Sequence, residues 1–302
     1  MWGMGDSIYI RPYIKKLAQN WNVYLDTPWP EIYEDLPVKF VRMPRKLRTQ
    51  MKNVERQPFS RWTDPPTERM ENKRIGYFFS MGFQKCIVRS FEQQFGFAVD
   101  WEKWDLPTRR YGWSREELGL PIAVIKATTV RTEWSSQARN PLPEYVNWLA
   151  DRLMKTHFVV SVADLSPPDE VLVGCPPPCH RAFNRGELVV EKLIELVRRA
   201  DIIVGGVGWN VPMSIALKTK SFVILGGRGA HNAPEVITDP AMDLTHIGFA
   251  KPKQYCRCSS AQHDCNKVIP DLAEQWQSYC DRVHLIRSPI LPGGQSASAT
   301  IQ

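Results

Sequence analysis

The chain has 302 residues, of which 43% are hydrophobic and 24% charged, a composition typical of a soluble globular protein with room for two domains. No apolar run approaches the roughly 20 residues that span a bilayer, and no leader segment is evident, so we expect a cytoplasmic protein with at most peripheral contact with the inner membrane face. Seven cysteines, an odd number, argue against a secreted disulfide framework, and the net charge of +7 favours an anionic partner.

The first element is a glycine-flanked turn, Gly3-Met4-Gly5-Asp6, that leads into a helix predicted over 7–20. Pro12 follows Asp6 by six residues. Glycines allow a tight turn and the close approach of another molecule. Asp6 is therefore either a helix N-cap or a general base, and the turn by itself leaves both open.

Two short strands follow, over 22–26 and 38–43, and then a proline-dotted basic stretch to Pro66. That stretch predicts a long loop, or a loop with a short helix. Residues 76–81 and 86–97 form a strand and a helix in an order that the pattern leaves open. A polar passage, 100–119, rich in tryptophan and arginine, marks the expected domain boundary.

The basic stretch is the most charged part of the chain. Between Lys39 and Arg61, eight basic residues face one acid, Glu55, with Phe40 and Phe59 among them. Such a run is often only a solvated surface, yet here it also suits a polyanionic acceptor, such as a phosphorylated glycolipid or nucleic acid. The residues expected to contact that acceptor are Lys39, Arg42, Arg45, Lys46 and Arg48, with Gly5 beside the base.

The second half alternates strands and helices more clearly. This alternation predicts βαβ units and a parallel sheet, with ligands at the carboxyl ends of the strands. The expected strands are 122–127, 157–163, 201–206 and 221–225, and the expected helices are 143–155, 187–199, 211–218 and 271–280.

Three loops at strand ends could hold a nucleotide. Thr128 and Thr129 follow the first strand and could hydrogen-bond a diphosphate, with Arg131 and Arg139 to neutralise it. Glycine-rich loops follow two later strands. A threonine turn with surface arginines, and ordinary strand-to-loop turns, are the simpler alternatives. The glycine-loop candidates are Gly206, Gly208, Asn210 and Gly227.

The chain resembles the heptosyltransferase-like glycosyltransferases of family nine in three features taken in order. These are the Gly-Asp turn with its proline, the Thr-Thr turn with its basic residues, and the later glycine loop. The resemblance implies an α/β protein of GT-B type, with two Rossmann-like domains facing a central cleft. It implies an acceptor-side domain over 1–119 and a nucleotide-sugar domain over 120–285. The glycine- and serine-rich composition near the end of the chain predicts a partly disordered tail over 286–302. It also implies that Asp6 is the catalytic base and that the Thr-Thr turn and a following basic residue hold the donor phosphates.

The sequence departs from the family in two places. The usual D-[ST]-G-x-x-H element is represented by 207–212, without its aspartate or histidine, and Arg139-Asn140 lies where the family carries a lysine. The sugar and nucleotide are therefore open. Only Met1-Trp2 precede Gly3, where the family has a whole strand.

The resemblance implies an inverting, metal-independent transferase that needs no cofactor beyond its nucleotide-sugar substrate. Its acceptor would be lipopolysaccharide core or a related glycan. Two alternatives stay open: transfer to a hydroxylated base of DNA, and a non-catalytic nucleotide- or nucleic-acid-binding protein on a degenerate transferase scaffold. A sugar epimerase of similar shape is a more distant option.

Four metal-ligating residue types fall within ten residues: Cys256, Cys258, His263 and Cys265. Thiolate and imidazole suit zinc, but the spacing lacks the common C-x2-C pairs. Packed, metal-free cysteines in a lid loop are the alternative.

Overall fold

A computed structural model describes residues 3–45, 47–68, 70–76, 86–109, 119–134 and 136–285. The tail predicted over 286–302 and the candidate Lys46 lie outside these residues, as does most of the segment 76–81. Within the described part, no helix is both long and apolar enough to cross a membrane.

The first half contains a small parallel sheet with strand order β1-β2-β3. Helix α2 lies in the basic stretch, which confirms the short-helix alternative. Single 3-10 turns span Pro30–Tyr33, Phe59–Arg61 and Trp101–Lys103. The elements are α1 (Met4–Leu17), β1 (Val23–Leu25), β2 (Val38–Val41), α2 (Arg48–Arg56), β3 (Trp62–Thr63) and α3 (Ile87–Phe95).

The second half contains six parallel strands in the order β11-β10-β9-β4-β6-β8. Its strands are β4 (Ile122–Lys126), β6 (Phe158–Val162), β8 (Arg181–Phe183), β9 (Ile202–Gly206), β10 (Lys220–Ile224) and β11 (Ile247–Ala250), and an antiparallel pair joins β5 (Thr129–Arg131) to β7 (Glu170–Leu172).

Helices connect these strands. They are α4 (Pro143–Leu153), α5 (Val190–Arg199), α6 (Asn210–Leu217), the short turns α7 (Gly229–Asn232) and α8 (Pro234–Ile237), and α9 (Leu272–Val283); a 3-10 turn spans Thr132–Trp134.

The strand order runs outward from the middle in both directions, which makes the sheet doubly wound. The direction reverses between β4 and β9, where Lys126 pairs with Gly205. In doubly wound sheets the ligand binds outside the carboxyl ends of the strands at this switch point. The end of β4 and the loop after β9 are therefore the expected site.

The sheet buries both faces, as its almost continuous apolar strands require. Along β4, Val124 belongs to one core cluster and Ile125 to the other. The Ile125 side packs on α4 and α9, and the Val124 side packs on α5, α6 and α1. The first helix of the chain is thus part of the core of the second half.

Helix α1 is held in place by a fully buried arginine. Arg11 forms ion pairs with Asp35 at 2.7 Å and Asp105 at 3.2 Å, and it donates to the carbonyl of Ile32 at 2.6 Å. A buried guanidinium needs such partners because desolvation of an unpaired charge is costly. These contacts fix the start of α1, and therefore Asp6, relative to the sheet.

Candidate functional site

A cavity of about 560 Å³ lies at the switch point, in the size range of small-ligand sites. Its walls are the first turn of α1, one side of α2, the end of β4, and the loops after β9 and β10. Its charged lining consists of the acids Asp6, Glu133 and Asp164 and the basic residues Arg56, Lys126, Arg131, Arg139 and Arg228. Sequence elements far apart in the chain therefore bring one carboxylate of α1 and several cations into a single cavity.

Asp6 is the third residue of α1, and the N-cap is Gly3. Its Oδ2 accepts a hydrogen bond from the backbone N–H of Gly3 at 2.8 Å, so the carboxylate caps the helix and still lines the cavity. Burial raises the pKa of Asp6 to about 6, against the opposing effects of the Gly3 bond and the charge of Arg139. A carboxylate with that pKa is mostly ionised at pH 7 and is a stronger base than an ordinary aspartate.

Gly5 allows α1 to approach α6 closely. A Cβ at Gly5 would lie 3.3 Å from the Cα of Trp209 and 3.6 Å from Cγ of Pro212. Gly5 lines the cavity beside Asp6. Its structural effect is to let the first turn of α1 sit against the loop after β9.

Lys126 is the functional candidate that sequence reasoning missed. It ends β4, its Nζ donates to the carbonyl of Gly206 at 3.3 Å, and it lines the cavity. Burial, with the nearby charges of Arg139 and Arg131, lowers its pKa to about 7. The only sequence signal was a lysine at the end of an apolar strand, directly before Ala127 and the Thr-Thr turn.

Gly205, near the end of β9, and Gly208, in the loop after it, make room for this lysine. A Cβ at Gly205 would lie 2.7 Å from the carbonyl oxygen of Lys126, and one at Gly208 would lie 2.8 Å from its Cε. A side chain at either position would collide with strand β4 or displace the amine. The glycine loop thus admits a lysine at the place where we predicted a nucleotide.

Four arginines line the cavity, and each comes from a different part of the chain: Arg56 ends α2, Arg131 ends β5, and Arg139 and Arg228 lie in loops. Arg139 donates to the carbonyl of Val207 at 2.9 Å, and Arg131 forms an ion pair with Glu170 at 3.2 Å. Arg228, with a left-handed φ of 55°, donates to the carbonyl of Ser259 at 3.1 Å. Together they give this side of the cavity a positive field suited to phosphate.

The predicted donor residues separate into two groups. Thr129, Arg131, Arg139 and Gly208 line the cavity. The described lining omits the other four. Thr128 is buried beside the turn, Gly206 abuts Pro141, Asn210 is fully buried at the start of α6, and Gly227 faces Cys265. Donor binding by any of these eight stays a prediction.

The predicted acceptor residues are mostly engaged elsewhere. Arg45 pairs with Asp26, and Arg48 pairs with Asp169 at 2.5 Å. The Nζ of Lys39 lies 5.1 Å from the ring centroid of Tyr24, and Arg42 is exposed. The described cavity lining contains none of these four, so their contact with an acceptor stays a prediction.

The cysteine–histidine cluster does assemble in three dimensions. One ligand atom from each of Cys256, Cys258, His263 and Cys265 lies within 4.8 Å of the others. The described cavity lining does not include them. The donor set of three sulfurs and one nitrogen suits a tetrahedral metal ion.

No protein-family model and no curated protein sequence matches this chain. Among solved structures, it is similar to the iron-containing dodecameric glycosyltransferase TibC of enterotoxigenic E. coli H10407, with a TM-score of 0.58 and 13% identity over 94% of this chain and 74% of TibC. A structure of TibC, described as a heptosyltransferase, in complex with ADP-D-beta-D-heptose gives 0.54 and 13% over 92% and 73%. E. coli ADP-heptose lipopolysaccharide heptosyltransferase II gives 0.42 and 11% over 91% and 96%.

The likenesses to the two TibC structures show the class of fold. The chain has the α/β architecture of TibC, which confirms the predicted fold class and, at the level of fold, the resemblance stated from the sequence. The division at residues 119 and 120 stays a prediction.

Proposed function

We propose that this protein is an inverting glycosyltransferase that takes its sugar from a nucleoside diphosphate sugar. One observation supports this most strongly: Asp6, with its pKa raised to about 6, shares a cavity with Lys126 and four arginines at the switch point of a doubly wound sheet. A base and an anion-binding wall in one cavity are what sugar transfer from a diphosphate requires.

In the proposed reaction the acceptor hydroxyl oxygen attacks the anomeric carbon of the donor. The Asp6 carboxylate takes the hydroxyl proton as the new C–O bond forms. The bond from the anomeric carbon to the diphosphate oxygen breaks, and the nucleoside diphosphate leaves with the electron pair. Attack opposite the leaving group inverts the anomeric centre.

The cations of this chain stabilise the departing diphosphate. Burial lowers the pKa of Lys126, and the nearby positive charges of Arg139 and Arg131 lower it further. A bound diphosphate relieves that repulsion and restores the charge of Lys126. We therefore propose that transfer needs no added divalent metal and no organic cofactor.

The donor we would test first is ADP-heptose. TibC has been crystallised with that nucleotide sugar, and this chain shares its fold. This chain lacks the aspartate and histidine of the D-x-G-x-x-H element, so other side chains must recognise the nucleobase and the sugar of the donor. Other nucleoside diphosphate sugars therefore belong in the same panel.

The acceptor stays the least constrained part of the proposal. We propose a hydroxyl of a glycan such as lipopolysaccharide core, reached from the cytoplasm. Three basic residues of α2 pair with acids of the second half: Arg48 with Asp169, Lys52 with Glu170, and Arg56 with Asp164. These ion pairs leave less free positive charge for a polyanion than the sequence suggests. For the same reason the structure gives no added support to a DNA acceptor.

The test is a thermal-shift screen of the wild-type protein against nucleoside diphosphate sugars, followed by mass spectrometry of the mixtures. One donor should raise the melting temperature by a few degrees at 100 times its Kd, where binding adds about 2.7 kcal/mol, and should slowly release its nucleoside diphosphate. The sugar transferred to an acceptor should have the opposite anomeric configuration to the donor by NMR. If no nucleotide sugar shifts the melting temperature, the transferase proposal fails.

A further inference from the structure

The segment after β11 is long and irregular, and yet it is folded closely against the sheet. Residues 251–268 contain no helix or strand, but Cys265 within them is buried. Loops of this length without secondary structure are uncommon in compact domains and need a local source of order. Its few long-range backbone bonds, such as Ala138 to Ala261 at 3.2 Å, do not by themselves supply a core.

We propose that Cys256, Cys258, His263 and Cys265 form a structural binding site for one thiolate-preferring transition-metal ion, zinc or iron. The separations between the ligand atoms fit such a site. Cys258 Sγ lies 3.5 Å from Cys265 Sγ, and His263 Nδ1 lies 3.3 Å from Cys265 Sγ and 3.5 Å from Cys256 Sγ. In a regular tetrahedron with Zn–S bonds near 2.3 Å and Zn–N bonds near 2.0 Å, neighbouring ligand atoms lie about 3.8 Å (S–S) and about 3.5 Å (S–N) apart.

The four cysteine and histidine side chains converge from one short segment, which holds three of the chain's seven cysteines. All the cysteines of the described residues are free thiols, so the cluster is not explained by a disulfide. Three thiolates and one imidazole exclude magnesium and calcium, which prefer oxygen ligands, and select zinc or iron.

This site would hold the wall of the cavity that contains Arg228. The carbonyls of Cys256 and Cys258 accept the N–H groups of Gly229 at 2.8 Å and Ala230 at 3.3 Å, which belong to α7. A Cβ at Gly227 would lie 2.3 Å from Cys265 Sγ, so only glycine lets the metal loop reach this turn. The metal thus organises Arg228 and the residues after it, three of which line the cavity: Arg228, His231 and Asn232.

The first experiment measures metal in the full-length protein purified without added metal or chelator. Elemental analysis should find about one zinc or one iron per chain, and the element found distinguishes the two ions. Cys258→Ser and His263→Gln should lose most of that metal on passage over a chelating resin. Cys175→Ser, which removes an exposed thiol outside the cluster, should keep it.

A second measurement does not depend on the variants folding. Cobalt added to chelator-treated wild-type protein should give the charge-transfer absorption of cobalt–thiolate bonds, saturating at one equivalent. The proposal would be overturned if the wild-type protein held no more metal than Cys258→Ser. The absence of a cobalt–thiolate band, or a disulfide within the cluster, would also overturn it.

The link to the cavity rests on the proposed function and is tested separately. Removing the metal should weaken binding of the donor at least tenfold, because the loop no longer fixes Arg228. A protein that binds metal but no nucleotide sugar would defeat the proposed function and leave the metal site standing. A protein whose donor affinity is unchanged without metal would defeat the link alone.

Discussion

At the scale of single residues, the site depends on two groups whose pKa values are shifted toward neutrality from opposite sides. Burial raises the pKa of Asp6 to about 6 and lowers that of Lys126 to about 7. Each shift disfavours the charged form of its group. In the proposed reaction, the charged forms act on the bound substrates, Asp6 as the base and Lys126 as a phosphate contact. Strongly shifted groups that share a cavity are a physical signature of a functional site.

The two shifts predict a narrow pH optimum. The proposed base works only when Asp6 is ionised, so kcat/KM should fall as the pH drops below about 6. The proposed phosphate contact works only when Lys126 is protonated, so kcat/KM should also fall as the pH rises above about 7. Initial rates from pH 5 to 9 should therefore give a bell, and a flat profile across pH 6–9 would show that Lys126 is not involved.

Replacing Lys126 separates its contribution to donor binding from its effect on the stability of the folded protein. Lys126→Met should weaken donor binding roughly 10- to 150-fold, equivalent to about 1.5–3 kcal/mol for a charge-assisted bond, and should remove the alkaline limb. The same change should raise the melting temperature, because an amine whose pKa is depressed in the folded state destabilises that state at neutral pH. Calorimetry and thermal unfolding check both effects, with the exposed Lys155→Met as control. An unchanged Kd would refute the assignment.

At the scale of elements, α2 is docked on the second half by ion pairs. Lys52 pairs with Asp164 at 3.1 Å and with the buried Glu170, which also pairs with Arg131. Lys52→Met leaves Glu170 with one cation, and because that partner remains, the cost should be about 2 kcal/mol, below the usual range for breaking a buried pair. Urea unfolding and amide exchange over α2 measure it.

A matched control is available on the same helix. Arg48 and Asp169 are 44% and 30% exposed, and such surface pairs contribute at most about 1 kcal/mol. Arg48→Met should therefore destabilise the protein less than Lys52→Met. Equal effects of the two changes would show that α2 is not held by the buried pair.

Gly205 in β9 and Gly208 in the loop after it should respond differently to replacement by alanine. At Gly205 the new Cβ meets a backbone oxygen of β4, so Gly205→Ala should cost about 1–3 kcal/mol by overpacking. At Gly208 it meets the flexible end of Lys126, so Gly208→Ala should cost less stability and should weaken donor binding instead. Unfolding and donor titrations of both variants test this. Equal stability losses would contradict it.

At the scale of the whole molecule, local patterns in the sequence predicted most of the second half. The apolar runs that became β4, β9 and β10 are nearly continuous because both faces of the sheet are buried, and that pattern is visible without a structure. The strand β11 was missed because its four residues, Ile247–Ala250, include a glycine and follow polar turns. The strands β5, β7 and β8 were missed because three residues are too few to show a periodic pattern.

The site was only half predictable. Asp6 and the arginines stand in recognisable turns. The pKa of Lys126, in contrast, is lowered by burial and by the charges of Arg139 and Arg131, which tertiary packing brings close. The pairing of the basic stretch with Asp164 and Glu170 joins residues more than 100 positions apart, which composition cannot show. Gly227 likewise meets Cys265 rather than the cavity. Contacts made by tertiary packing are what the sequence left open.

The most direct test of the account is a comparison of donor binding and turnover in the wild type and Asp6→Asn. Asparagine keeps the oxygen that accepts the Gly3 bond, so α1 should stay capped and the donor Kd should change less than about twofold. Loss of the base should lower donor turnover at saturation by about 10²- to 10⁴-fold, while the exposed Asp151→Asn should match the wild type. Unchanged turnover in Asp6→Asn would contradict the central claim, that this carboxylate is the base of a sugar transfer.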